Sequence, residues 1–272
     1  MSARRLITSG KPRPAPSRRQ LLRGAAGALA GAGALSLAGC DRLSRSEGFV
    51  GVLKSAQHLS HGAHNLVAGR KAMAQEFTQA DVAAHFRSNG TAMPRDADYR
   101  ALLKGGFAEW KLEVGGLVEK PTAFTLAELR AMPSRTQITR HDCVEGWSSI
   151  GKWKGVPLAH VLDQVKPLAS AKYVLFRCAD SMDDPAAGDS RYYESVDLDD
   201  AYHVQTVLAY ELNDQPLPVA NGAPLRARIE RQLGYKHAKY VMKIELIERF
   251  DSLRGGNGGY WEDNGYEWYA GI

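Results

Sequence analysis

The chain has 272 residues, 44% hydrophobic and 24% charged, with three cysteines and a formal net charge of +5. Seven of the 35 basic residues and none of the 30 acidic ones fall in residues 1–39, so the remainder carries 28 basic against 30 acidic residues. That balance takes away the electrostatic footing for nucleic-acid binding. Three cysteines are too few for a disulfide framework, while the length beyond residue 39 suffices for one domain with a real core, or two small ones.

The N-terminus reads as an address. Arg18-Arg19 precede an uncharged, Ala/Gly/Leu-rich run from Gly24 to Gly39, too short for a membrane span and suited to a signal-peptide core of the twin-arginine type. Leu37-Ala38-Gly39-Cys40 resembles a bacterial lipoprotein box, which implies Cys40 as a lipidated mature N-terminus at the periplasmic face of the cell membrane. Twin-arginine export carries folded proteins, often with a cofactor already inserted. The expected organisation is a signal peptide over 1–39, a tether and approach segment over 40–80, and a domain over 81–272. His58, His61 and His64 lie in the tether; with no Cys or carboxylate completing a set, they read as a solvated loop rather than a metal site.

Further on, Trp110 to Val114 alternates as a half-buried strand ending at Gly115-Gly116. Phe124 to Leu129 is a helix start capped by Thr125, with Glu128 at the capping-box position and an end before Pro133. Thr136 to Thr139 is a strand that delivers Cys143 at its end. Pro157 to Val165 is a helix with Leu158, Val161, Leu162 and Val165 on one face. Tyr173 to Cys178 is an apolar strand, and a polar excursion over 179–190 follows it. Val196 to Leu208 reads as strand then helix, Asn221 to Pro224 as a turn, and Leu225–Ile229 and Val241–Ile247 as strands. The tail is expected to be flexible glycine, 255–259, followed by aromatics. Short strands and helices without a βαβ rhythm indicate an α+β fold.

Cys143, in the run Arg140-His141-Asp142-Cys143-Val144-Glu145-Gly146-Trp147, has no obvious bridging partner. It is a nucleophile, a redox centre, a single-thiolate metal ligand or a buried packing residue. Cys143 to Ser148 with Trp153 to Leu158, Asn221-Gly222-Ala223-Pro224-Leu225-Arg226, and Gly234 to Lys239 occur in an order that resembles the sulfite oxidase superfamily, in its bacterial branch related to periplasmic methionine sulfoxide reductase catalytic subunits. The matching segments span about Phe86 to Phe250. The resemblance implies a sulfite-oxidase-like molybdopterin-binding domain, with molybdenum held by the pterin dithiolene and one thiolate, Cys143; a soft thiolate suits such a metal.

The same resemblance implies roles for other residues. Asn221 and Arg226 match the family's phosphate-binding pair, and His237-Ala238-Lys239 falls where the family's loop clasps the cofactor, with Lys239 toward the phosphate. Phe86-Arg87-Ser88-Asn89-Gly90 resembles a segment that contacts pterin or substrate anion, making Arg87 an oxyanion ligand or a surface cation. Cys178 falls where a relative has a cofactor-contacting threonine; it lines the pocket or simply packs. A Cys143–Cys178 disulfide would occupy the metal ligand and is not expected. Glu145 shuttles protons or caps the turn. Trp147, Trp153, Trp261 and Tyr266 wall an access funnel or pack in the core.

The expected protein is a lipid-anchored molybdopterin oxidoreductase, transferring an oxygen atom to or from a small sulfur or nitrogen oxide. With no haem-attachment motif in the chain, it would exchange electrons with a membrane b-type or soluble c-type cytochrome. After Ile272 no C-terminal immunoglobulin-like domain of the sulfite oxidase kind is expected. The rival expectations are a non-catalytic ligand-binding lipoprotein on the same fold and a metal-free thiol enzyme or sensor.

Overall fold

The computed structural model describes residues 46, 48–49, 62, 69, 71–182 and 190–272. Its contacts divide the chain into 1–59 and 60–272, and every element below belongs to the second unit. The twin arginine, Cys40 and the three tether histidines lie outside the described residues.

Helix α1 (Ala97–Lys104) starts at Asp96, whose Oδ1 accepts the Tyr99 amide at 2.8 Å. Strand β1 (Lys111–Gly116) buries Leu112 and Val114 and turns Lys111 and Glu113 outward, as the alternation requires. It pairs antiparallel with β2 (Thr122–Thr125), a strand too short to announce itself. Helix α2 (Leu126–Ala131) has the expected capping box: Thr125 Oγ1 accepts the Glu128 amide at 3.2 Å, and Glu128 Oε2 accepts the Thr125 amide at 2.7 Å. Such a cap contributes about 1 kcal/mol.

Strands β3 (Arg135–Cys143) and β4 (Trp147–Pro157) form a hairpin paired from Arg135↔Gly155 to Cys143↔Trp147. The expected strand over Thr136–Thr139 is thus longer, and β4 was not foreseen. Its buried positions include Ser149, Gly151, Trp153 and Gly155; with glycine and serine facing in, apolar periodicity could not reveal it. Helix α3 (Leu158–Val165) buries Leu158, Val161, Leu162 and Val165 completely, as the pattern predicts. Each stabilises the fold by about 1.5–3 kcal/mol.

Strand β5 (Tyr173–Ser181) is followed by β6 (Arg191–Asp197), the four-residue α4 (Leu198–Ala201) and β7 (Thr206–Leu212). The helix expected to reach Leu208 therefore ends at Ala201, and Thr206 onward is strand. β7 lies between β4 and β9 and buries every residue except Glu211, so it has no alternation to distinguish it from a helix. The two-residue β8 (Gln215–Pro216), then β9 (Arg226–Ile229) and β10 (Val241–Ile247), complete the sheets. In the tail, α5 (Tyr260–Asp263) follows the glycine run. That run is tied down rather than loose: Asp263 accepts the Gly255 and Asn257 amides at 3.1 Å each, and Gly258 O accepts from Ser195 Oγ.

The strands make two five-stranded sheets, β2-β1-β10-β5-β6 and β3-β4-β7-β8 with β9 on β7. Among the described residues, only β1 and β10 pair in parallel. Both sheets, α2 and α3 contribute to the main apolar core. This is the expected α+β architecture. Glu76 bridges Thr139 and Gln205 holds Ala74 through both amide groups, so the approach segment runs against β3.

Candidate active site

Cys143 stands at the tip of the β3–β4 hairpin. Three residues, Val144, Glu145 and Gly146, close the loop; Gly146 has φ of +84° and donates its amide to Cys143 O at 3.0 Å. A positive φ at the last loop position is what glycine supplies without strain. Burial pushes the half-buried thiol up, while the Glu145 amide hydrogen-bonded to it and the Arg87 and Arg226 charges pull the other way. Glu145 is fixed in turn, its Oε2 accepting the Trp147 indole N–H at 2.9 Å.

Behind the thiol lies a polar wall. Gln137, Thr139 and His141 point inward from β3 at every second residue, facing Arg226 and Arg228 on β9, both fully buried. Glu230 neutralises Arg228 with two oxygens, at 2.9 Å from Nε and 2.6 Å from Nη2. Arg226 has no carboxylate within ion-pair distance in the described residues. It donates to Asn221 O and Asn89 Oδ1, 3.2 Å each, and its Nε–H has no partner. Both guanidinium groups lie over Trp153, at 5.4 and 4.3 Å from its ring centre, which places that indole in the core.

The histidine tautomers follow from their neighbours. His237 Nε2 faces the Ile229 and Gln232 carbonyls at 2.9 and 3.1 Å and must carry a proton. His141 Nδ1 receives Arg228 Nη1 at 3.0 Å and is an acceptor, which puts its proton on Nε2, a buried atom with no partner. Burial first, then the neighbouring cations, hold both imidazoles well below the usual histidine range, so both are neutral. Gly234 lies against His141: a Cβ there would come within 2.4 Å of the ring carbon Cε1 and 2.5 Å of Nε2. Only glycine permits that approach.

A cleft of ≈ 160 Å³ opens above this wall, lined by Cys143, Val144, Glu145, Asn89, His237 and Lys239, together with Asp180, Met182, Tyr192, Tyr235, Trp261 and Tyr266. Five residues singled out from the sequence as site residues, and two proposed as funnel walls, therefore meet in one place. Arg226 stands one side chain behind the lining, covered by Asn89. Asn221 is buried beside it, Ser88 Oγ donates to Ala220 O at 2.5 Å, and Ala238 accepts the Ala227 amide at 2.8 Å; these three hold the loops rather than face the cleft.

Two residues are placed elsewhere. Arg87 lies 4.8 Å over the Trp147 ring in a separate surface groove with Asp81 and Arg140. Cys178 is packed in the apolar core beside another groove, its thiol pushed far up by burial, and both it and Cys143 are free thiols. Lys239 spends its three N–H groups on the carbonyls of Asn89, Thr91 and Ala220 at 2.6, 2.6 and 2.8 Å. Burial, then Arg226, pull it down to about 7. Asp180 is pushed up to about 6 by burial, and its Oδ1 has no partner. Asp180 and His141 escaped the sequence reading, although each stands two residues from a cysteine on the same strand face, a spacing that could have exposed them.

The donor set suits a bound anion. A buried guanidinium without a carboxylate, and the orphan donors Arg226 Nε, His141 Nε2 and Asn221 Nδ2, require acceptors that the protein does not supply. A phosphate-bearing, acceptor-rich pterin fits that demand, and Cys143 supplies a soft thiolate in the cleft lining. Residues 101–252 match the family model described as oxidoreductase molybdopterin binding domain. Over 164 residues the chain is 44% identical to a protein of Azospira oryzae that carries the name protein-methionine-sulfoxide reductase subunit YedZ1, covering 60% of this chain and 56% of that one. Over 146 residues it is 40% identical to the protein-methionine-sulfoxide reductase catalytic subunit MsrP of Xanthomonas axonopodis pv. citri, covering 52% and 45%. A solved structure, the sulfane dehydrogenase SoxCD from Paracoccus pantotrophus, is similar with a TM-score of 0.47 and 21% identity over 52% of this chain and 39% of that one. The chain spans about half the length of the curated relatives it matches.

Proposed function

Because the chain belongs to the oxidoreductase molybdopterin-binding domain family, within the sulfite oxidase superfamily, we propose that it is a reductase of organic S-oxides, of the methionine sulfoxide class. The observation that carries this reading is the lining of the cleft around Cys143. Val144, Met182, Tyr235, Trp261 and Tyr266 make an apolar, aromatic approach, and Arg87 lies outside it over Trp147. A neutral sulfoxide with apolar substituents suits such walls, whereas a sulfite dianion would need cations at the mouth.

The bound molybdenum cofactor supplies two-electron oxygen-atom transfer. Cys143 Sγ would hold it, with Asn89 and His237 in the lining as the pterin-facing groups and Arg226, behind Asn89, as the buried charge that favours an anion. Lys239 keeps the loop of Asn89 and Thr91 in place through its three carbonyl contacts. Converting a sulfoxide to a sulfide and water consumes two protons and two electrons. Glu145, held by Trp147, is the carboxyl of the cleft lining nearest in sequence to Cys143 and would pass a proton at that point. The aromatic walls exclude water and orient the substituents.

The names of the relatives support the S-oxide class. A separate cytochrome as electron partner, twin-arginine export and a lipid anchor on Cys40 complete the proposal, supported by Arg18-Arg19 and Leu37 to Cys40. Replacing the ligand tests the core of it. Cys143→Ser, purified after expression with molybdenum, is expected to lose turnover of methionine sulfoxide with a dye donor and to retain at least about tenfold less metal. Full molybdenum with normal turnover would sink the assignment; wild-type turnover of sulfite but not of methionine sulfoxide would sink the substrate class.

A further inference from the structure

Three ionisable side chains that do not enter the cleft are buried together beside it. Lys236, in the turn Gly234–Lys236, places Nζ 2.5 Å from Oε1 of Glu194 on β6 and 2.5 Å from Oε1 of Glu262 on α5. All three side chains are completely buried. The Ser195 amide also donates to Glu194 Oε1, at 2.8 Å. Gly259, just before α5, is shaped by the cluster: a Cβ there would lie 2.0 Å from Glu262 Oε2 and 2.7 Å from Glu194 Oε1.

A buried ion triad contributes little net stability over an apolar replacement of the same shape, but breaking it leaves an uncompensated charge and is costly. Such a cluster therefore tolerates one arrangement of its three elements and opposes others. The element it pins is the C-terminal segment. α5 carries Trp261, on which Tyr266 stacks at 5.1 Å and 27°, and Tyr235, next to Lys236, meets Tyr266 edge-on at 5.3 Å and 85°. All three aromatics line the cleft. Lys236 thus reaches away from the wall and fastens α5, the element from which that wall is hung.

We propose that Lys236, Glu194 and Glu262 are positioning residues: a buried clamp that holds the Trp261–Tyr266 pair over Cys143 and so sets which S-oxides the cleft accepts. The specificity part rests on the S-oxide reductase reading; the clamp itself does not. The test uses the full chain loaded with cofactor and two substitutions at one position. Glu262→Ala removes the arm from α5, whereas Glu262→Gln keeps an oxygen that accepts from Lys236. Hydrogen exchange of residues 253–272 is expected to speed up at least about tenfold in Glu262→Ala and to return to within about twofold of wild type in Glu262→Gln. For a methionine-sulfoxide peptide, KM is expected to rise about five- to tenfold in Glu262→Ala with kcat within about twofold, again rescued by Gln. Unchanged exchange in Glu262→Ala would overturn the clamp. Faster exchange with unchanged KM would overturn its role in specificity. If wild type reduces no S-oxide, the functional reading fails by itself and the exchange data still decide the clamp.

Discussion

Two buried ionic clusters in this domain carry opposite surpluses of charge. Around β9, the carboxylates that Arg226, Arg228 and Lys239 face among the described residues are Glu230 and Asp180, and what remains unpaired is mostly donors: Arg226 Nε, His141 Nε2 and Asn221 Nδ2 against one acceptor, Asp180 Oδ1. Around Lys236, one cation faces Glu194 and Glu262, and what remains unpaired are acceptors, the Oε2 atoms of both. The second surplus is settled internally. Burial and the nearby Glu262 push Glu194 far up toward its protonated form, and against its own burial Lys236 is held up by Glu194 and Glu262 together. The first cannot be settled that way, because a guanidinium does not give up its proton. A positive surplus with unmet donors behind a cleft is a demand for a bound anion; a negative surplus sealed from solvent is a structural fastening.

Arg226 and Arg228 make the contrast within one strand. Glu230→Gln would turn the paired arginine into a second unpaired one, and breaking a buried pair from one side costs about 3–5 kcal/mol. Denaturant unfolding of the cofactor-free chain should show that loss. A loss near zero would mean that Glu230 does not neutralise Arg228, and the contrast would collapse.

Arg226→Met is expected to behave differently. The cofactor-free chain should keep its melting temperature, since a cation lacking a counter-charge is removed, while cofactor retention falls by the roughly 1.5–3 kcal/mol of a charge-assisted hydrogen bond, about 10- to 150-fold. Pterin content after gel filtration and thermal melting of the stripped protein together check this. A large drop in melting temperature would make Arg226 structural, like its neighbour.

These differences set what could be read from the sequence. Periodicity revealed β1 and α3 because one face of each is apolar and the other wet, and the capping box at Thr125 and Glu128 revealed α2. It missed β4, whose inward positions include serine and glycine, and mistook β7, buried nearly throughout, for the end of a helix. In the site, short local runs singled out Cys143, Asn89, His237 and Lys239, which line one cleft. Arg87 was set in the cleft as one of two options, but a cation gives no sign of its direction, and this one lies flat on Trp147. The clamp was invisible: Glu194, Lys236 and Glu262 sit in three separate elements, and each alone looks like an ordinary surface charge.

The smallest expected effect tests the sign of the two clusters directly. His237 is held well below its usual value by burial and by Arg228 and Arg226, so an unfolded chain takes up a proton below pH about 6.5 that the folded chain refuses. Its contribution to stability is complete above that pH and is lost on acidification, by up to about 1.4 kcal/mol per pH unit. Glu194 works in the other direction. Its raised value means that the folded chain keeps a proton which the unfolded chain releases above pH about 4.3, so its contribution is complete below that pH and is lost as pH rises. Between about pH 5 and 6.5 the two nearly cancel. Urea unfolding of the cofactor-free chain across that window should therefore change its pH slope in opposite senses relative to wild type when each group is removed, His237→Gln tilting the profile toward lower stability as pH rises and Glu194→Gln toward higher. Two tilts of the same sign would show that the clusters do not differ in the charge they leave unpaired.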